Sequence, residues 1–185
     1  PNSTSILCNL GSLYRSWGKF ESAQENFDRA LEINPRDVSA LVNYANLKRD
    51  LNKIEESLKL YESAFKINQN HETLLINYAG AFQIAGDFQK SKNILKILHE
   101  KFPNNIIAHK MYSSINLYEV NDEHQKIMLD KIQNSNLSKN DEITLLFSLA
   151  KSFSDQKNPE KSAEFFVKAN NAKFLSFNNY NFNSE

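Results

Sequence analysis

The strongest constraint in this chain is a spacing. A pattern of small and large residues recurs every 34 positions, as in Gly11, Ala45 and Ala79, and a period of that length commits a sequence to stacked, self-similar units. Residues 4 to 37 carry Leu7, Leu10, Gly11 and Tyr14, then Gly18 and Phe20, then Ala23, Phe27 and Ala30, closing on Asn34-Pro35. One period later come Leu41, Tyr44, Ala45, Ile54, Ser57, Tyr61, Ala64 and Asn68, and after another Leu75, Tyr78, Ala79, Phe82, Gly86, Phe88, Ser91, Leu95, Leu98 and Pro103.

Numbering each unit from its first residue (Thr4 is position 1), positions 4, 7, 8 and 11 fall on one stripe of a first helix, and positions 20, 24 and 27 on one stripe of a second. The stripes face each other. Small residues at position 8 (Gly11, Ala45, Ala79) and position 20 (Ala23, Ser57, Ser91) allow close approach, while Tyr14, Phe27, Tyr61 and Phe82 fill the adjoining holes. Only four glycines and four prolines occur, too few for a sheet built on tight turns. The expected fold is therefore all-α, a right-handed solenoid of about five antiparallel helical hairpins, each stabilised by its neighbours.

The period predicts repeats over 4–37, 38–71 and 72–105, a degenerate repeat over 106–139, and a fifth over 143–176, one array spanning 1–176 with a tail over 177–185. In the fourth unit Tyr112 and Ser113 keep the pattern, but His109 and Asn116 occupy positions for large apolar residues. Three extra residues near Ser138-Lys139-Asn140 reset the phase before Leu146, Leu149, Ala150, Phe153, Ser162, Phe166 and Ala169. Asn158-Pro159-Glu160 reads as a helix start, with an amide cap, Pro at the first helical position and an early acid. Pro1 falls on the closing position of a repeat, which implies hairpins upstream. The aromatic run Phe174, Leu175, Phe177, Tyr180 and Phe182 implies something downstream to cover it.

These residues and their spacing resemble the tetratricopeptide repeat family over nearly the whole chain. The resemblance implies a protein- or peptide-binding scaffold without catalysis. In such a stack positions 2, 6, 9 and 13 of the first helices line the concave face. Position 6 reads Asn9, Asn43 and Asn77, then Met111 and Ser148. An amide both donates and accepts, so a row of them can hold the main chain of an extended segment whatever its side chains. The chain has 25 asparagines in 185 residues. Three given positions would all be Asn by chance about 0.25% of the time, and about ten exposed positions raise that to a few per cent. Ser12, Asn46, Ser114 and Lys151 at position 9, Arg15 and Arg49 at the edge, and Lys110 beside Lys151 complete the predicted groove. Position 2 offers Ser5, Ser39 and Thr73 rather than the paired cations of a carboxylate clamp.

The stretch Leu41-Val42-Asn43-Tyr44-Ala45-Asn46-Leu47-Lys48-Arg49-Asp50 resembles repeats of the O-linked N-acetylglucosamine transferases, where a groove of asparagines grips substrate backbones; the matching residues are Asn9, Asn43 and Asn77. Leu149-Ala150-Lys151-Ser152-Phe153 and Phe166-Val167-Lys168-Ala169-Asn170 resemble the repeats of bacterial tetratricopeptide sulfotransferases, which implies a docking arm for a larger transferase. Self-association through exposed array ends is the competing structural reading.

Charge is balanced, 22 basic residues against 22 acidic, so no pull toward nucleic acid or an anionic membrane is expected. The apolar runs are too short to span a bilayer. A single cysteine, Cys8, excludes an internal disulfide framework and fits a reducing, cytoplasmic setting. His71, His99, His109 and His124 lack metal-ligand spacing, and no phosphate loop occurs, so neither metal nor cofactor is expected.

Overall fold

The computed structural model describes residues 3–181, with side chains through 176. Every regular element among them is helical: α1 (Thr4–Ser16), α2 (Phe20–Ile33), α3 (Val38–Asp50), α4 (Ile54–Ile67), α5 (Glu72–Ile84), α6 (Phe88–Lys101), α7 (Ile106–Ile115), α8 (Glu123–Asn134), α9 (Lys139–Asp155) and α10 (Pro159–Asn181). The fold class is all-α, as the period requires. The chain divides into two compact units, one ending at Pro103 and one beginning at Asn104.

The first unit holds three hairpins, α1/α2, α3/α4 and α5/α6. The second helix of one packs on the first helix of the next, and α1, α3 and α5 lie side by side. Chain reversal within each hairpin uses a left-handed residue at position 15: Gly18 (φ 71°), Asn52 (φ 58°) and Gly86 (φ 77°). The following amide then reaches back to a carbonyl five residues earlier (Lys19 N–H to Tyr14 O, 2.9 Å; Lys53 to Lys48, 2.8 Å; Asp87 to Phe82, 2.9 Å), satisfying otherwise orphaned acceptors. Asp37 and Asp87 cap the next helices by accepting from Ala40 and Lys90 N–H, both at 3.0 Å.

Close approach inside the first hairpin has a visible cause. A Cβ added at Gly11 would lie 2.6 Å from Phe27 Cε1, so only glycine admits that ring at the crossing. Phe27 is wholly buried and stacks on Tyr44 of α3, with centroids 5.8 Å apart; Tyr61 is likewise buried against Tyr78 of α5 at 5.8 Å. One aromatic at position 24 thus meets one at position 7 of the following unit, and the repeat interface copies itself.

In the second unit α9 and α10 form a regular hairpin. Lys157 supplies the left-handed residue (φ 56°), and Asn158 Oδ1 caps α10 by accepting from Lys161 N–H at 3.1 Å, the helix start expected at Pro159. The fourth repeat departs from the pattern. Helices α7 and α8 pack chiefly on α9 rather than on each other. Position 20, small in the other units, is Gln125, whose bulk blocks the crossing; its Nε2 donates instead to Ser152 Oγ of α9 at 2.8 Å. Position 15 is Val120, a β-branched residue strained at positive φ, so the left-handed residue moves to Asn121 (φ 69°). Helix α7 stops at Ile115 and Asn116 turns extended.

Candidate functional site

Helices α1, α3 and α5 of the first unit place Asn9, Asn43 and Asn77 at one repeat position on three adjacent helices. Asn9 is exposed and the other two half-buried. None of these three side chains makes a hydrogen bond within the described residues, whereas other asparagines have local tasks: Asn34 and Asn68 accept from backbone amides two residues on, at 3.1 and 2.8 Å, and Asn105 caps α7 at 2.8 Å. Ser12 is half-buried on the same helical face as Asn9.

Two expected groove residues sit differently. Asn46 is buried, and its Oδ1 accepts the Tyr61 hydroxyl at 2.5 Å, so that acceptor belongs to the core. Arg15 reaches across to α3, its Nε 3.6 Å from Asp50 Oδ2, which offsets its charge at the edge. Arg49 is half-buried there and, with Arg15, opposes the upward push that burial gives the Tyr61 hydroxyl. Lys48, one residue before Arg49, is buried, pairs with Glu56 at 2.9 Å and lies 4.9 Å over the Tyr44 ring. The face is thus close to electrically neutral.

Lys110, Ser114 and Lys151 come together in the second unit, where with Phe147 and Ser148 they line an open hollow of about 240 Å³ between α7 and α9. Lys110 is exposed. Lys151 is not the free cation the sequence suggests: its Nζ pairs with Asp155, donates to Asn116 O and lies 5.2 Å over the Tyr118 ring. That triple engagement clamps the irregular segment after α7 onto α9. An acidic ligand in this hollow would therefore meet one available ammonium, not two. Ser114 and Ser148 donate to the carbonyls of Met111 (2.7 Å) and Thr144 (3.0 Å), leaving their lone pairs outward.

A buried polar chain, which the spacing of the histidines did not signal, fills the second unit. Ser113 Oγ and the Tyr118 hydroxyl are 2.7 Å apart, the hydroxyl and His124 Nδ1 2.6 Å, and His124 Nε2 and His109 Nδ1 3.0 Å. One direction of donation fits these distances: Ser113 to Tyr118, Tyr118 to His124 Nδ1, and His124 Nε2–H to His109 Nδ1. Met128 packs beneath Ser113, and Tyr112 lies against the His124 ring at 4.5 Å. Position 4, apolar in the first three units, holds His109 because His124 meets it from α8. The available signal was the clustering of His109, Asn116 and Gln125, each a breach of the pattern, in one repeat.

This architecture defines a helical-hairpin repeat protein. Tetratricopeptide repeat models match residues 5–37 and 38–71, so the first two hairpins are tetratricopeptide repeats. No curated protein sequence matches the chain. Among solved structures it is similar to the MamA protein (TM-score 0.74, 14% identity, covering 92% of this chain and 91% of that one). It is also similar to YrrB, described as a tetratricopeptide protein with an unusual peptide-binding site (TM-score 0.70, 16% identity, 92% and 87% covered). A third likeness, over 60% of this chain and 91% of the other, is to the first tetratricopeptide domain of Spaghetti bound to an HSP90 peptide (TM-score 0.58, 19% identity). At these identities the likeness is one of fold. No described helix is long and apolar enough to cross a membrane.

Proposed function

We propose that the chain is a non-catalytic recognition module that binds an extended protein segment along α1, α3 and α5, with Asn9, Asn43 and Asn77 hydrogen-bonding the segment's main chain. The observation that carries this reading is the combination of shared repeat position, solvent access and unused hydrogen-bonding groups on three adjacent helices. Asparagine is a poor helix former, so each of the three costs several tenths of a kcal/mol relative to Ala, roughly 0.5, without any intramolecular bond to offset it. A ligand that uses the amides offsets that cost. The near-neutral face favours main-chain recognition over capture of a charged tail, and peptide binding as such has precedent on this fold in YrrB, described as having an unusual peptide-binding site, and in the Spaghetti domain bound to an HSP90 peptide.

The test is an extended-peptide array followed by calorimetry on the hits. Replacing Asn9, Asn43 and Asn77 together by Ala is expected to abolish binding while raising the melting temperature slightly, since helix propensity improves at all three sites. Unchanged affinity in that variant would sink the ladder. The same reading expects no transferase turnover and no thermal stabilisation by a nucleotide donor.

A further inference from the structure

Three hydroxyls on the walls of the open hollow between α7 and α9 have already committed their protons. Ser114 Oγ donates to Met111 O at 2.7 Å, Thr144 Oγ1 to Asn140 O at 2.8 Å and Ser148 Oγ to Thr144 O at 3.0 Å. A carbonyl only accepts, so each hydroxyl is the donor in its bond and keeps lone pairs, not a proton, for the hollow. Ser148 does so from a site only 6% exposed. The hollow of about 240 Å³ thus has acceptors on both walls, Ser114 on α7 and the other two on α9. Opposed to them are one donor and one apolar surface. Lys110 is exposed and makes no ion pair among the described residues, whereas the Lys151 ammonium is taken up by Asp155 and Asn116 O. Phe147 is half-buried, set edge-on against Phe166 of α10 with centroids 5.4 Å apart, and Ile143 lies one turn before it on α9.

This lining discriminates among ligand groups. A carboxylate gains one exposed ion pair, which is worth little in water, and otherwise brings acceptors to a wall of acceptors. An ammonium or guanidinium suits the hydroxyls but is repelled by Lys110. An aliphatic side chain covers Phe147 and leaves the polar walls without partners. A primary carboxamide matches every part: its two N–H groups donate to hydroxyl oxygens, its carbonyl oxygen accepts from Lys110, and its carbon stem lies on Phe147 and Ile143. We propose that this hollow binds the glutamine side chain of an extended protein segment. It is a second recognition site, separate from Asn9, Asn43 and Asn77, and it selects by side chain where that row holds main chain.

The probes are capped alanine pentapeptides with Gln, Glu, Leu or Tyr at the centre, titrated into the isotope-labelled full chain and followed by NMR. The Gln peptide is expected to shift amides of α7 and α9 saturably, with a Kd about tenfold below those of the other three, the factor that one or two net hydrogen bonds supply. Ser114→Ala and Ser148→Ala both improve helix propensity, so folding is kept, and each should raise that Kd about threefold or more while leaving the Leu peptide unaffected. Equal affinity for the Gln and Leu peptides overturns the proposal. So does tighter binding of Glu or Tyr, unchanged Gln affinity in both serine variants, or the lack of any saturable shift on α7 and α9. Shifts on α1, α3 and α5 belong to the asparagine row, so the two readings fail separately.

Discussion

Replacing Phe27 by Ala is expected to remove about 3–5 kcal/mol from the stability of the first unit, the range for deleting a wholly buried aromatic. The ring is fixed from three sides. Gly11 lets it into the hairpin crossing, Ala23 and Leu47 share its cluster, and Tyr44 stacks on it from the next repeat. Nothing on those sides can collapse into the space without moving a helix, so a cavity term adds to the lost transfer free energy. The comparison that isolates the cause is Phe166→Ala, the same repeat position on α10 but 53% exposed. That change is expected to cost less than about 1 kcal/mol. Thermal and denaturant unfolding of the two variants measures the difference. Equal losses would show that position 24 contributes through something other than burial by the following repeat.

The first unit is also expected to lose stability in alkali. Burial, aided by the Asp37 charge, pushes the Cys8 thiol from 9.0 up to about 11, and burial pushes the Tyr61 hydroxyl above 10.0 despite Arg49 and Arg15 nearby. Both groups are acids that are neutral when protonated, and both resist ionising in the folded state. Stability is therefore unaffected below the unfolded values and falls once the pH passes them, because the unfolded chain gives up protons the folded chain keeps. The Cys8 shift of about two pH units corresponds to a loss of up to about 3 kcal/mol as the pH rises from 9 to beyond 11, and the Tyr61 shift adds to it in the same direction. Against a typical total of about 5–15 kcal/mol, that loss lies within reach of a titration. Tyr61→Phe should flatten the fall in stability above pH 10, while lowering stability at neutral pH because Asn46 Oδ1 loses its donor. A stability that stays level from pH 8 to pH 11 would contradict this account.

The regular part of the fold was legible because each hairpin obeys the same local rules. The starts of α1, α3, α5 and α7 at Thr4, Val38, Glu72 and Ile106 follow the period, as do those of α2, α4 and α6 at Phe20, Ile54 and Phe88. In these the small pair at positions 8 and 20 and the left-handed residue at position 15 agree with the apolar stripes. Legibility fails where those local rules fail. A small-residue template cannot say where Gln125 goes once the crossing is blocked; the answer depends on Ser152, 27 residues away on α9. Tyr118 is at position 13, expected to line the concave face, yet it is 2% exposed, because His124 and Ser113 give its hydroxyl partners in the interior. Helix α9 begins at Lys139, four residues before the fifth repeat predicted at 143, since Ser138 caps an added turn by accepting from Asp141 N–H at 3.2 Å.

The candidate site was legible to the same degree. A repeat position names the residues that share a helical face, so Asn9, Asn43 and Asn77 could be grouped from sequence. It does not reveal which members the core has already recruited. Asn46 is lost to Tyr61 and Lys151 to Asp155 and Asn116, both through partners fixed by the packing of side chains between helices. Among position-9 polar residues the sequence had no means of separating Ser12 from Asn46, because the distinction rests on a tyrosine in the second helix whose reach depends on the crossing distance.

Main-chain recognition by the three asparagines is tested most directly with a peptide found on the array and two sets of its analogues. In one set each side chain is replaced by Ala; in the other, backbone amides are N-methylated one at a time. Calorimetry is expected to show affinities nearly level across the Ala set and sharp losses at those N-methylated positions that face Asn9, Asn43 and Asn77, with both patterns gone in the triple Ala variant of the protein. Affinity that follows the side chains and ignores N-methylation would contradict the account.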